Sequence, residues 1–320
     1  MNKPGYKHLY GPVPSRRLGR SLGIDLVPFK TCTYDCIYCQ LGRTTEKTLV
    51  RREYVPVDVV LDELGRKLAD GDAPDFISLA GSGEPTLHGG LGRLISGIKT
   101  MTKIPVAVIT NGSLLWDREA AEPLMTADLV IPSLDAGDAA MFERINRPHP
   151  GIDFDRMVQG LADFRNNYRG RLWLEVMLLD GLNDSRAEVR KIADLAGRIR
   201  PDRVQLNTAV RPPAEVAAHP VPFYRMQELA RLFYGTTEVI ASGSGRQAEE
   251  ATEGGNQGEK ILPMLKRRPC TVEDVSRGLG IHRLSALKEL EALVKKGKAR
   301  KVETGGSWFY IPEDGMRNGI

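Results

Sequence analysis

The stretch Thr31-Cys32-Thr33-Tyr34-Asp35-Cys36-Ile37-Tyr38-Cys39 decides how this chain is read. It sets Cys32, Cys36 and Cys39 at C-x3-C-x2-C spacing on one short loop, directly after an apolar run at residues 22–28 that reads as a strand. The chain has only four cysteines, and three of them lie here. Spacing this tight is ill suited to a disulfide framework and well suited to metal ligation by thiolates in a reducing compartment. Three cysteines cannot close a tetrahedral site. Structural zinc asks for a fourth Cys or His nearby, yet His88 follows about fifty residues later and Cys270 falls in what reads as another domain. A cuboidal [4Fe–4S] cluster with one iron left open to a substrate accounts for the deficit. A zinc site completed from elsewhere and three unrelated thiols are the competing readings.

Outward from the loop, runs rich in Val, Ile and Leu recur at 76–80, 106–110, 129–133, 172–178 and 203–208, with 237–241 as a further candidate strand. Between them, 57–69, 91–101, 139–144, 154–166 and 185–199 carry helical periodicity, with Asp58 and Ser185 as candidate caps. Alternating strand and helix predicts right-handed crossovers and a parallel sheet. Six such units make a partial (β/α)6 TIM-like barrel of α/β class, expected over residues 1–242. Residues 243–258, polar and dense in glycine, read as a linker. Beyond it, 260–265, 272–279 and 283–296 read as helices and 299–311 as a hairpin turning at Gly305-Gly306. This small domain, placed at 259–313 with a tail at 314–320, resembles the winged-helix family.

Bulk properties bound the function. At 320 residues and 41% hydrophobic the chain can bury an enzyme core and a second small domain. A net charge of +4 admits an anionic partner but lacks the dense basic stripe that nucleic-acid binding alone requires. The first ten residues are polar and no apolar run approaches a membrane span, so a soluble cytoplasmic protein is expected.

The cysteine loop, with Tyr38 just before its last cysteine, resembles the hallmark of the radical S-adenosylmethionine (radical SAM) superfamily, and the resemblance extends over residues 9–242. It implies a [4Fe–4S] cluster on Cys32, Cys36 and Cys39 whose open iron is chelated by S-adenosylmethionine. It also implies reductive cleavage to a 5′-deoxyadenosyl radical and a low-potential flavodoxin or ferredoxin as electron donor. Further matches follow in order. Gly81, Gly83 and Glu84, in a GSGEP version of the family's GGEP motif, meet the methionine amino group by this resemblance, although glycines there also suit a plain strand-to-helix turn. Asn111 lines the cavity, or belongs to an ordinary Asn-Gly turn. Ser133 and Asp135 match the position that meets the ribose hydroxyls. Arg144 and Glu175 are weaker candidates for the carboxylate and polar contacts, and Val204, Leu206 and Asn207 fall in the region that flanks adenine.

The opening stretch with Arg16, Arg17 and Arg20 resembles radical SAM proteins grouped with the wyosine-forming tRNA enzymes; it either faces an anionic substrate or closes the barrel. Those enzymes carry a second cluster on three cysteines ahead of the loop, and this chain has none before Cys32. Cys270 reads as a structural or incidental thiol, with a ligand role as the competing reading. The third helix of the small domain and its wing hold Arg283, Lys288, Lys295, Lys296, Lys298, Arg300 and Lys301, which could meet phosphates. A modified RNA, above all tRNA, is the first substrate expectation, with a protein or small molecule second. The rival class is a DNA-binding regulator that senses redox state or iron through its cluster.

Overall fold

A computed structural model describes residues 6–71, 73–240 and 258–313, so the expected tail and all but the last residue of the expected linker lie outside the described residues. The chain opens with an antiparallel hairpin, β1 (Leu9–Ser15) and β2 (Gly19–Ile24). A two-residue parallel pair, β3 (Thr31–Cys32) and β4 (Glu46–Lys47), brackets the cysteine loop. Then come α1 (Val57–Ala69), β5 (Phe76–Leu79), α2 (Leu91–Met101), β6 (Val106–Thr110), α3 (Arg118–Ala121), β7 (Leu129–Pro132), α4 (Ala139–Ile145) and α5 (Phe154–Asn167). The barrel region ends with β8 (Arg171–Leu178), α6 (Arg186–Ile199), β9 (Arg203–Thr208), α7 (Phe223–Ala230) and β10 (Thr237–Val239).

The large sheet runs β1-β2-β5-β6-β7-β8-β9-β10, parallel everywhere except between β1 and β2. The six expected strands are present, the further strand near 237 forms β10, and the first strand sits earlier than its apolar run, ending at Ile24. The unforeseen strand is β1. Gly11, Pro12 and Pro14 give it the composition of a turn, which a sheet tolerates at an edge, and its pairing is irregular between Tyr10 and Val13. Gly23 is required by this hairpin: a Cβ there would lie 1.9 Å from the ring of Tyr10, whose hydroxyl donates to Ala80 O at 3.0 Å.

Period-two alternation sends Val106, Val108, Val130, Leu172 and Leu174 into the main core with helix residues such as Leu64, Ile98, Leu161 and Ile192. The opposite face groups Ala107, Leu129, Ile131 and Trp173 around Leu18 from the β1–β2 turn. The hairpin turn therefore packs into the barrel interior. Arg17 Nη2 pairs with Glu175 at 2.5 Å, and Arg16 Nη1 donates to Ile240 O at 3.1 Å, tying the first hairpin to the chain just past β10. Helix ends follow their caps. Ser185 accepts from Glu188 N, as expected of an N-cap, whereas Pro56 occupies the cap of α1 and Asp58 is its second residue, in the first turn, where its charge complements the helix dipole.

The small domain comprises α8 (Gly258–Arg267), α9 (Val272–Leu279), α10 (Arg283–Lys295) and the hairpin β11 (Ala299–Thr304) with β12 (Ser307–Pro312). Gly305 and Gly306 both take positive φ at its turn, the conformation a two-residue hairpin loop demands. Its own core gathers Ile261, Leu265, Val275, Leu290 and Tyr310, with Cys270 fully buried among them. It docks on the barrel: Arg267 reaches Asp25 at 3.3 Å and lies 4.5 Å from the Tyr10 ring centroid, and Arg211 donates to Pro269 O at 3.2 Å. No helix among the described residues is long and apolar enough to cross a membrane.

Candidate active site

The cysteine loop leaves the sheet beyond β2 and is pinned from several directions. Asp35 N donates to Asn146 O at 3.0 Å, while its carboxylate accepts from Thr44 N at 2.7 Å and Arg43 Nε at 2.8 Å. Arg43 also reaches Glu215 at 2.7 Å, and Arg147 grips Glu215 with both of its terminal nitrogens. This ion-pair chain belts the loop to the segment after β9.

The glycine-rich turn after β5 lies against the loop. Lys30 N donates to Ser82 O at 2.7 Å and Glu84 N to Thr31 O at 3.2 Å. Contact is so close at Gly83 that a Cβ would lie 1.8 Å from Thr31 O; at Gly81 a Cβ would lie 2.5 Å from Asp25. Asp25 in turn accepts from Ser82 N at 2.9 Å. The glycines thus serve close approach of backbone to backbone, a firmer demand than a plain turn. Glu84 is 2% exposed and its carboxylate accepts from Thr86 N, Thr86 Oγ1, Thr110 Oγ1 and Asn111 N at 2.6–3.0 Å. Burial pushes its pKa up against these donors. Its oxygens are occupied within the protein, so it braces the turn against β6.

Asn111 Nδ2 donates to Thr33 Oγ1 at 2.7 Å and approaches Cys32 Sγ at 3.6 Å, so the residue reaches the cysteine loop as well as making its Asn-Gly turn, with Gly112 at φ 76°. Just past β7, Ser133 is half-buried and its hydroxyl has no hydrogen-bond partner among the described residues. Asp135, 3% exposed, accepts from Tyr38 Oη at 2.5 Å, Asn146 Nδ2 at 2.7 Å and Met177 N at 2.9 Å. Burial raises its pKa to about 6. Tyr38 is therefore held by Asp135 rather than pointing freely beside Cys39. Arg144 differs from expectation: it is exposed on α4, without a side-chain partner among the described residues. The residue from this segment that reaches the loop is Asn146, 2% exposed, whose Nδ2 lies 3.5 Å from Cys36 Sγ and whose Oδ1 is buried without a partner. Glu175 is held by Arg17 and by Asn207 Nδ2 at 2.9 Å inside the barrel.

Lys30 and Asn146 carried no motif signal. Lys30 is 3% exposed, takes φ 59° and aims Nζ at Cys39 Sγ at 3.1 Å. Asn146 follows Arg144 by two positions in the FERINRP stretch, where a charge drew more notice than an amide. Burial pushes the Cys32 thiol up to about 12 and the Cys36 thiol upward as well, so a bound metal group must displace their protons. Among the described residues, no three His, Cys, Asp or Glu side chains are gathered to hold a single ion. A cube of iron and sulfide takes each thiolate at its own corner, and three thiols with one polar N–H against each sulfur suit it. Cys270, in the core of the small domain, is no part of this set.

Residues 26–196 match the family model described as the Radical SAM superfamily. The chain is 41% identical over 95% of its length to a Brachyspira hyodysenteriae protein named GTPase Obg, but spans only 45% of that protein. It is 33% identical to a UPF0026 protein of Methanocaldococcus jannaschii, over 94% of this chain and 95% of the other. Among solved structures it is similar to TYW1 with a lysine-pyruvate adduct bound, at 19% identity and a TM-score of 0.50 over 67% of this chain and 72% of the other. It is also similar to a radical SAM methyltransferase from Sphaerobacter thermophilus, at 16% identity and a TM-score of 0.51, over 68% and 65%. At these identities the structural likeness speaks for the fold.

Proposed function

The chain belongs to the radical SAM superfamily and to the UPF0026 proteins, and from that premise we propose that it is a radical SAM enzyme carrying one [4Fe–4S] cluster on Cys32, Cys36 and Cys39. The observation that carries this reading is the loop itself: three thiols beside the carboxyl ends of parallel strands, the edge where such sheets gather their chemistry, each with a polar N–H beside its sulfur. Held by these three thiolates, such a cluster would supply one electron to S-adenosylmethionine, whose C5′–S bond would break to give methionine and a 5′-deoxyadenosyl radical able to take a hydrogen atom from substrate.

This chain's residues prepare the place. The glycine-rich turn at Gly81–Gly83, packed on Asp25 and Thr31 where no Cβ intervenes and braced by Glu84, is the segment assigned to the methionine end of the cosubstrate. Ser133 Oγ and Asn146 Oδ1, without a hydrogen-bond partner among the described residues, are the oxygens assigned to its polar groups; Asn111, Tyr38 and Asp135 shape the wall between them. Arg144 reaches the cosubstrate in this reading only by leaving its exposed position on α4. The small domain is read as a winged helix whose basic α10 and hairpin bring an RNA substrate, tRNA first, to the barrel. A low-potential flavodoxin or ferredoxin would supply the electron. The alternative of a redox- or iron-sensing regulator binding nucleic acid would share the cluster and the small domain.

The test is anaerobic reconstitution with iron and sulfide, reduction with dithionite, addition of S-adenosylmethionine and chromatography for 5′-deoxyadenosine. Product that vanishes in Cys36→Ala is expected. An intact cluster that yields none would turn the reading toward the sensor.

A further inference from the structure

We propose that Lys30, Asn111 and Asn146 are positioning residues for the cluster, each assigned to one cysteine sulfur and together setting how readily the cluster accepts an electron. This rests on the reading of the loop as a cluster site.

The assignment follows from one-to-one geometry. Lys30 Nζ lies 3.1 Å from Cys39 Sγ, Asn146 Nδ2 3.5 Å from Cys36 Sγ and Asn111 Nδ2 3.6 Å from Cys32 Sγ. The three donors come from three different parts of the chain: the approach to the loop, the turn after β6 and the end of α4. Each amide is oriented by a shorter bond, Asn111 Nδ2 to Thr33 Oγ1 and Asn146 Nδ2 to Asp135, both at 2.7 Å, and with that bond made it still lies against a sulfur, a poor acceptor while it is a protonated thiol. The same N–H groups become strong partners when sulfur carries thiolate charge.

Two features mark the arrangement as built rather than incidental. Lys30 is 3% exposed and takes φ 59°, a left-handed conformation that costs a non-glycine residue on the order of 1 kcal/mol. No carboxylate lies within ion-pairing distance of its ammonium among the described residues. A buried cation without a carboxylate is stable where a negative group faces it, and the thiolates are the anions at hand. Asn146 is fixed on its other side by Asp135, which accepts from the same Nδ2 at 2.7 Å, so its amide cannot swing away from Cys36.

Hydrogen bonds and positive charge at the sulfurs stabilise the more negative, reduced form and raise the potential. Lys30 contributes a full charge and should dominate, with the two amides contributing less. The donors work by holding and screening, and none of them needs to touch the substrate.

The measurement is a potentiometric titration of the reconstituted full chain, followed by electron paramagnetic resonance of the reduced cluster, with iron and sulfide content determined on each sample. Lys30→Met is expected to lower the reduced-to-oxidised ratio at a fixed potential about tenfold, which for a one-electron couple is ~59 mV. Lys30→Arg should restore most of it, and Asn111→Ala and Asn146→Leu should shift it in the same direction by less. Variants with full cluster content that titrate together with the unaltered chain would overturn the proposal. Should a variant fail to retain its cluster, the unaltered chain decides: exchangeable protons coupled to the reduced cluster, lost on transfer to deuterated buffer, support the donors, and their absence overturns them. A wild-type chain that takes up no cluster would overturn the proposed function and this inference together, an outcome distinct from an assembled cluster with unmoved potentials.

Discussion

Replacing Gly83 with alanine tests the packing of the two loops that build the site. A Cβ there would lie 1.8 Å from Thr31 O, 2.8 Å from Thr31 C and 2.9 Å from Val27 Cγ2. The first two are backbone atoms, so no side chain can swing aside to make room. One loop must move, and overpacking of this kind costs roughly 1–3 kcal/mol. Separation would also weaken the bonds Lys30 N to Ser82 O and Glu84 N to Thr31 O, each contributing about 1 kcal/mol. Alanine returns about 0.4–1 kcal/mol by restricting the unfolded chain, which leaves a net loss of about 2–4 kcal/mol. A loss of that size should lower the midpoint of thermal unfolding by roughly 3–8 °C in a chain of this length. The assay is thermal unfolding followed by near-ultraviolet circular dichroism, with Gly65→Ala as comparator. Gly65 sits within α1 where only the flexible tip of Met101 comes near, at 3.1 Å, so alanine there should hold or raise stability by up to about 1 kcal/mol. Gly83→Ala melting with the unaltered chain would refute the reasoning, because the two loops could not then be in backbone contact.

Glu84→Ala removes the acceptor of four donors in a buried place and is expected to cost about 3 kcal/mol or more, read from the urea midpoint at constant slope; an unchanged midpoint would mean that the carboxylate braces nothing. Asp135 has its folded pKa raised by burial from 3.8 to about 6, so its favourable contribution is complete below pH 3.8 and lost as pH rises through 6, where it becomes a penalty of about 3 kcal/mol relative to acid. Asp135→Asn should therefore gain on the unaltered chain between pH 4 and 6, on the order of that amount; a stability difference flat across this range would refute the burial argument. Cys270→Ala should leave the iron content of the reconstituted chain unchanged, measured per chain, since the thiol lies in the core of the small domain; a fall would mean that the ligand set extends beyond one loop.

What could be read from sequence, and what could not, divides along a physical line. The parallel strands β5 to β9 are covered on both faces, so they appear as short Val, Ile and Leu runs whose limits survive almost unchanged. The strand β1 is hidden by Gly11, Pro12 and Pro14, since its pairing is decided by an edge of the sheet that local composition does not reveal. The cysteines announce themselves through spacing within one loop. The groups around them do not: Asn146 and Cys36 are 110 positions apart, and Arg43 meets Glu215 across 172. Glu84 shows a third case, in which the motif marks the residue but the four donors around its carboxylate reveal its work as bracing.

The same constellation connects the small domain to the site. Arg267, at the end of α8, lies 3.3 Å from Asp25; Asp25 accepts from Ser82 N at 2.9 Å; Ser82 O accepts from Lys30 N at 2.7 Å; and Lys30 Nζ lies 3.1 Å from Cys39 Sγ. Each link is polar and short, and two of the residues, Asp25 and Lys30, are turned by backbone geometry rather than by side-chain choice alone: Gly81 leaves no Cβ to displace Asp25, and Lys30 holds φ 59°. A domain that merely trailed on a tether would have no need of an arginine packed on Tyr10 and paired with the carboxylate that orders the glycine-rich turn. Displacing Arg267 would free Asp25 to relax, and the turn it holds is the one whose backbone presses on Thr31. Four contacts thus run from the small domain to the cysteine loop, and they pass through the turn whose glycines permit them.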